Sequence, residues 1–152
     1  MGVVLIFLSF SVFADTGYVY EGDMNNDGIA DTLQSGPSSL FGKGNGPFVL
    51  KLSVNNNEYN STIIILNVNG FYLERTTKGN RIWSYYPVSM ERGILRSTEL
   101  NSNFSIVDKE FSVNDNRLRA VLTEKYLVKF RVVEDYNVPQ HPCGKQWGKG
   151  EC

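Results

Sequence analysis

Residues 47–68, PFVLKLSVNNNEYNSTIIILNV, determine the fold class that the sequence predicts. In the first eight residues apolar and polar side chains alternate, which places Leu50 and Leu52 on one face of a β-strand. The segment NNNEYN, residues 55–60, consists mostly of turn-forming residues and is predicted to end that strand. Residues 61–68, STIIILNV, form a continuous β-branched run, which is typical of a strand buried on both faces.

The segments on either side of this stretch are also short, rich in β-branched and aromatic residues, and bounded by turn formers. They predict six further strands: GYVYEG (17–22), FYLER (71–75), RIWSYY (81–86), RGILRSTEL (92–100), NFSIVDKEFSV (103–113) and YLVKFRVV (126–133). Residues 117–130 also fit a helical face, but their alternation favours a hairpin. No linker or long repeat divides the chain. The sequence therefore predicts a mainly β, single-domain antiparallel fold, either a sandwich or a rolled sheet.

The first fourteen residues, MGVVLIFLSFSVFA, are predicted to be a secretory signal that is cleaved after Ala14. An apolar run ends there in a small residue and is followed by a polar segment. The run carries no Lys or Arg, so a core strand is the competing interpretation. It is shorter than the about 20 residues that span a bilayer. We therefore expect a secreted or periplasmic protein without a membrane span, whose domain covers residues 15–152.

The two cysteines, Cys143 and Cys152, enclose the segment CGKQWGKGEC. In an oxidising compartment a pair this close is predicted to form a disulfide. The competing hypothesis is a redox or metal pair, for which His141 supplies at most a third ligand. The spacing is not C-x-x-C, and this favours the disulfide.

Charge and motif content argue against two classes of function. The formal net charge is −1 and the basic residues are scattered, so no nucleic-acid partner is expected. The chain has one histidine and contains no G-x-S-x-G, H-E-x-x-H or P-loop motif. No catalytic residue is therefore assigned, and we do not expect an enzyme.

The stretch GDMNNDGIADTL, residues 22–33, contains the pattern D-x-N-x-D-G-x-x-D. Calcium takes six to eight oxygen ligands at about 2.3–2.6 Å, and a tight loop presents such oxygens from alternate residues. Gly28 permits the positive φ that turns the chain back over an ion. Magnesium is less suited, because it keeps several waters in a strict octahedron. The predicted calcium ligands are the side-chain oxygens of Asp23, Asn25 and Asp27, the backbone carbonyl of Ile29, and the Asp31 carboxylate, directly or through water.

The alternative interpretation of this stretch is an Asx-rich turn without metal, since Asn, Asp and Gly also dominate ordinary turns. Two observations favour calcium: the fixed spacing of five ligand-competent positions, and the mutual repulsion of three carboxylates that no cation neutralises. An EF-hand does not fit, because its twelfth position requires a bidentate Glu and is occupied here by Gln34.

The pattern resembles the calcium loop of FG-GAP and VCBS-type repeats, in which a strand runs into D-x-[DN]-x-D-G-x-x-D and a second strand follows. The resemblance implies the same five ligands and a structural ion that pins the first strand to the rest of the sheet. Residues 35–52 and 81–100 resemble, more loosely, small bacterial exported proteins that carry one such loop ahead of a β-domain. A propeller needs several blades and this chain has one loop, so a complete propeller is not expected.

Trp83 and Tyr85 are the candidate residues of a different kind of site. Strand alternation places them on one face, where flat aromatic surface suits sugar rings or a partner protein. Packing in the core explains the same residues and is the favoured interpretation. The sequence thus carries an alternative function: a carbohydrate- or protein-binding, inhibitor-like module that uses this aromatic face, with calcium incidental.

Overall fold

The computed structural model describes residues 15–42, 45–77, 79–101, 106–114, 122 and 125–149. The predicted signal (residues 1–14), Cys152, and half of the segment that is ambiguous between hairpin and helix (residues 117–121, 123 and 124) lie outside the described residues. In the part of the chain that is described, no helix is long and apolar enough to cross a membrane.

The described residues form ten β-strands, and every neighbouring pair is antiparallel. One 3₁₀ turn, Ser38–Leu40, lies between the second and third strands. The strands are β1 Gly17–Gly22, β2 Asp31–Ser35, β3 Gly46–Val54, β4 Asn57–Ile65, β5 Phe71–Thr76, β6 Gly79–Pro87, β7 Arg92–Asn101, β8 Ile106–Asn114, β9 Tyr126–Val128 and β10 Arg131–Val133.

The strands form two five-stranded sheets, with the orders β10-β1-β2-β3-β4 and β8-β7-β6-β5-β9. Each sheet is a four-stranded meander of consecutive strands, to which one short strand from the C-terminal part is added. This arrangement confirms the prediction of a mainly β, antiparallel, single-domain fold, and of the two predicted forms, a sandwich or a rolled sheet, it is the sandwich. The described strands form neither a closed barrel nor a propeller.

The main core lies between the two sheets and follows from the strand alternation. Leu33, Phe48 and Leu50 come from the first sheet, and Phe71 and Ile82 come from the second. All of these side chains are almost completely buried. Burying one such side chain contributes about 1.5–3 kcal/mol, so this apolar layer is the main source of stability.

The predicted strand YLVKFRVV, residues 126–133, is divided between the two sheets. β9 pairs with β5 of the second sheet, whereas β10 pairs with β1 of the first. Phe130 lies at the crossing, with its ring centroid 4.8 Å from that of Phe48 and 5.3 Å from that of Phe71. Because these two rings belong to different sheets, the packing of the partly buried Phe130 against both explains why the chain changes sheet there.

The turn between β3 and β4 is shorter than the sequence predicts. Asn55 and Asn56 have φ values of 48° and 64°, and together they form a two-residue hairpin connection. Asparagine tolerates this left-handed conformation, and two-residue hairpins require it. Residues 57–60, predicted as part of the turn, therefore belong to β4.

The continuous β-branched run of β4 is not buried on both faces. Ile63 and Ile65 enter the core, but Ile64 between them is only half-buried. β4 is the edge strand of the first sheet and not an inner one. The prediction was wrong on this point because an apolar run alone does not distinguish an inner strand from an edge strand.

Candidate functional site

The predicted metal loop connects β1 to β2. The register of this hairpin ends at the pair Gly22–Asp31, so the loop begins at Asp23 and returns to the sheet at Asp31. A strand before the pattern and a strand after it were both expected. The loop contains two left-handed residues, Asn26 with a φ of 64° and Gly28 with a φ of 85°.

Side chains from alternate positions fold this loop by accepting hydrogen bonds from its own backbone. The Asp27 N–H donates to Asp23 Oδ1 and to Asn25 Oδ1, both at 3.1 Å. The Gly28 N–H donates to Asp23 Oδ2 at 2.9 Å. Two predicted ligand side chains thus share one donor, which brings their oxygens close together.

Asp27 completes this group of side chains. Its Oδ2 accepts a hydrogen bond from Asn25 Nδ2 at 3.1 Å, and its Oδ1 accepts one from the Ile29 N–H at 2.8 Å. Asp27 and Ile29 are exposed, whereas Asp23 and Asn25 are half-buried. The structure therefore brings together Asp23, Asn25 and Asp27, with Ile29 in the same turn.

Asp31 has a different environment from the other predicted ligands. It is only 1% exposed, and its Oδ2 accepts hydrogen bonds from the N–H groups of Met24 at 2.7 Å and Asn25 at 3.3 Å. Its Oδ1 accepts one from the Ser53 N–H on β3, at 2.8 Å. Burial raises the pKa of this carboxyl above its usual value, and the three N–H donors oppose that shift. Asp31 thus joins the loop to the first sheet.

Met24 joins the loop to the core. Its side chain is completely buried in the main core, and its carbonyl accepts a hydrogen bond from the Asn80 side chain on β6 of the second sheet. Sequence analysis missed Met24, Ser53 and Asn80. A large apolar residue between the acidic and amide positions of the pattern was a usable signal for Met24. No local signal existed for Ser53 or Asn80, because both contacts join distant parts of the chain.

The chemistry of the donor set fits a hard cation. Every proposed ligand atom is an oxygen, and calcium prefers carboxylate, amide and carbonyl oxygens. Among the described residues, no group of three or more His, Cys, Asp or Glu side chains is placed to hold a metal ion. The predicted set contains three such side chains, Asp23, Asp27 and Asp31, and the structure does not gather them into such a group. Asn25 would add an amide oxygen and Ile29 a backbone carbonyl. The two Asp31 oxygens already accept N–H bonds, so this residue would contribute to an ion through a remaining lone pair or through water.

Trp83 and Tyr85 lie on the outer face of the second sheet. They alternate along β6 with the buried residues Ile82 and Ser84, and both are partly buried against a second small apolar cluster around Leu95. The predicted common face is therefore present. It belongs neither to the main core nor to a fully exposed surface.

Charged side chains contact the Trp83 ring. The Lys125 Nζ lies 5.2 Å from the ring centroid and the Arg81 guanidinium carbon lies 5.5 Å from it. The indole N–H donates to Glu74 Oε2 at 2.6 Å. Glu74 is in turn 3.4 Å from Arg81 Nη1. Arg81 also pairs with Glu99. The ring is thus part of a network of cations and carboxylates, in which cation–π contacts contribute to packing.

The C-terminal tail folds around His141 and Trp147. Their rings meet edge to face with centroids 4.9 Å apart, and the Cys143 N–H donates to His141 Nδ1 at 3.3 Å. The Trp147 indole N–H donates to the Pro139 carbonyl at 3.0 Å. Cys152 lies outside the described residues, so its pairing with Cys143 stays a prediction.

Comparison with known proteins gives no similarity from which a family could be assigned. No family model matches the chain, and no curated protein or solved structure matches it. The assignment of the loop and of the aromatic face therefore rests on the residues and contacts of this chain alone.

Proposed function

We propose that the protein is a secreted or periplasmic β-domain whose β1–β2 loop binds one calcium ion, and that this ion has a structural role. The observation that carries the proposal is the convergence of three side chains: the Asp23 and Asn25 oxygens share the Asp27 N–H, and the Asp27 carboxylate accepts a hydrogen bond from the Asn25 amide. The signal-like segment at residues 1–14 supports export. The absence of a recognisable catalytic motif in the sequence supports a non-enzymatic role.

Electrostatics favours a cation in this loop. Two like charges about 5 Å apart near a protein surface repel each other by about 1–3 kcal/mol. Asp23 accepts a hydrogen bond from the Asp27 N–H, and the Asp27 carboxylate accepts one from the Asn25 side chain that shares this donor. The folded loop therefore concentrates negative charge that the unfolded chain disperses. When bound, calcium supplies the compensating positive charge and accepts the oxygen ligands.

A bound ion would act on the whole sandwich through the contacts of the loop. The Met24 side chain extends from this loop into the core, and the Asp31 carboxylate joins the loop to β3 through hydrogen bonds. Holding the loop in its folded conformation therefore also holds Met24 in place between the sheets. The expected effect is a stability gain of about 2.7 kcal/mol at a hundredfold excess of calcium over Kd.

Thermal unfolding in chelator and in millimolar calcium tests this function, together with direct calorimetric titration. We expect calcium to raise the Tm of the unmodified protein by roughly 10 °C. The titration must reach millimolar calcium, because extracellular modules bind with Kd values of about 10⁻⁴–10⁻³ M. Asp27→Ala should abolish most of this rise, because it removes a central carboxylate from the proposed ligands. The fold should tolerate this change, since the Asp27 side chain is exposed.

Glu91→Ala is the matched control, since it removes an exposed carboxylate from the connection between β6 and β7. This variant should keep the full calcium response. An identical Tm in chelator and in calcium, with no heat of binding, would show that the loop is an ordinary Asx-rich turn.

The alternative function, a glycan- or protein-binding module, gains less support from the structure. Lys125 and Arg81 already contact the Trp83 ring, and the indole N–H is bonded to Glu74. A sugar ring or a partner would have to displace these contacts in order to stack on the indole. We therefore favour the calcium-binding domain.

A further inference from the structure

The peptide group that joins Met24 to Asn25 is held from both sheets. Its carbonyl, from Met24, accepts a hydrogen bond from Asn80 Nδ2 on β6 of the second sheet. Its N–H, from Asn25, donates to Asp31 Oδ2 at the start of β2 in the first sheet, at 3.3 Å. A peptide group is planar, so these two contacts together fix the orientation of the whole unit.

All of the groups that hold this peptide are buried. Asn80 is 2% exposed, Asp31 is 1% exposed and Met24 is fully buried. A hydrogen bond is stronger in such a dry environment than in water, and a carbonyl left there without a donor is destabilising. The orientation of the Met24–Asn25 peptide therefore depends on the Asn80 side chain.

We infer that Asn80 is a positioning residue for the calcium loop, an inference that rests on the proposed calcium function. The N–H of this peptide group belongs to Asn25, so the position of the Asn25 side-chain oxygen depends on how the peptide group is oriented. Asn80 reaches it from the opposite sheet, 56 residues away in sequence. Calcium affinity therefore depends on both sheets, and ion binding tightens the sandwich at this end.

Calorimetric titration of calcium into Asn80→Ala tests this role against a purely structural one. Ser84→Ala is the matched control. Ser84 is also 2% exposed and lies on the same face of β6, and its Oγ accepts a hydrogen bond from the Leu66 N–H at 3.1 Å, away from the loop. Both variants remove a buried contact between a side chain and the backbone, so both should lower the Tm. Only Asn80→Ala should weaken calcium binding.

We expect the Kd for calcium to rise about fivefold to tenfold in Asn80→Ala, the effect of losing one buried hydrogen bond. In Ser84→Ala it should stay within twofold of the unmodified protein. Unchanged affinity in folded Asn80→Ala overturns the inference and leaves the calcium function standing. Equal weakening in both variants also overturns it, because general loosening then explains the loss. Failure of the unmodified protein to bind calcium removes the proposed function and this inference together.

If Asn80→Ala does not fold, a measurement on the unmodified protein decides the question. In ¹⁵N NMR spectra the side-chain amide signals of Asn80 should move during a calcium titration. The calcium concentration at the midpoint of this shift should equal the midpoint concentration for the Asn25 backbone amide signal. Asn80 signals that stay fixed while the Asn25 amide moves would overturn the inference.

Discussion

Asp31 has one observed role and one predicted role. It is the last residue of the predicted ligand pattern, and it is also a buried acceptor for three backbone N–H groups in two segments of the chain. Such a carboxylate organises the loop whether or not an ion is present. Its contribution to stability is therefore expected to differ from that of Asp27, which is exposed.

Asp31→Ala should lower the free energy of unfolding by about 3–5 kcal/mol even in chelator, because three N–H groups lose their buried acceptor. Asp27→Ala should cost less than about 1 kcal/mol under the same conditions, since water replaces its contacts. Urea denaturation in chelator measures both values. Equal losses in the two variants would show that burial of Asp31 has no structural importance.

Tyr136 gives the protein a pH dependence at alkaline pH. Burial raises the pKa of this phenol above its usual value, and its hydroxyl donates to the Ser35 carbonyl at 2.8 Å. In the unfolded chain the Tyr136 phenol ionises at about pH 10, which is a lower pH than it requires in the folded protein. Ionisation therefore favours the unfolded state, and the contribution of Tyr136 is complete below pH 10 and is lost as the pH rises towards its folded-state pKa.

Tyr136→Phe should cost about 1 kcal/mol at neutral pH through the lost hydrogen bond. It should also remove part of the stability loss above pH 10, because phenylalanine does not ionise. Chemical denaturation from pH 8 to pH 11 measures both effects. Tyr59→Phe, which changes an exposed ring, is the control and should keep the alkaline loss. If the free energy of unfolding of Tyr136→Phe falls with pH in parallel with that of the unmodified protein, Tyr136 is not the cause of the alkaline loss.

At the scale of elements, strand positions could be predicted and strand partners could not. The alternation in residues 71–75, 81–86 and 92–100 indicated β5, β6 and β7, because alternation is a local property of the chain. The division of residues 126–133 between two sheets depends on where Phe48 and Phe71 lie, and no local pattern contains that information. The edge position of β4 was missed for the same reason.

Trp83→Ala tests whether the outer face of the second sheet serves packing or binding. Trp83 packs against the Leu95 cluster and bonds Glu74, so the variant should lose about 2–3 kcal/mol of stability. Met90→Ala, in the connection between β6 and β7, is the control; Met90 is 99% exposed and should contribute almost nothing. An unchanged Tm in Trp83→Ala, together with weaker binding in a glycan or pull-down screen, would support the interaction module instead.

At the scale of the whole molecule, the candidate site was only partly predictable. The ligand pattern from Asp23 to Asp31 could be recognised because its residues are close in sequence. The contacts that hold the loop, from Ser53 and Asn80, come from β3 and β6. Such contacts depend on the tertiary fold, and short-range patterns do not record them.

The predicted Cys143–Cys152 disulfide should restrain only the tail of the molecule. A ring of about ten residues stabilises by roughly 2–3 kcal/mol at most, and its effect stays local. Peptide mapping without reductant should find the bridge in exported protein. Reduction should lower the Tm slightly and leave calcium affinity unchanged, because the described loop contacts do not involve the tail. Two alkylatable thiols in freshly exported, folded protein would favour the redox or metal pair.

The crossing between β9 and β10 determines when the protein can finish folding. The two meanders pair strands that are neighbours in sequence, so each can form early. β10 must find β1, more than a hundred residues away, and β9 must reach back to β5. Distant pairing of this kind is slow, typically taking milliseconds to seconds. During synthesis, the edges of β1 and β5 therefore stay open to mispairing until residues 126–133 have emerged and covered both edges.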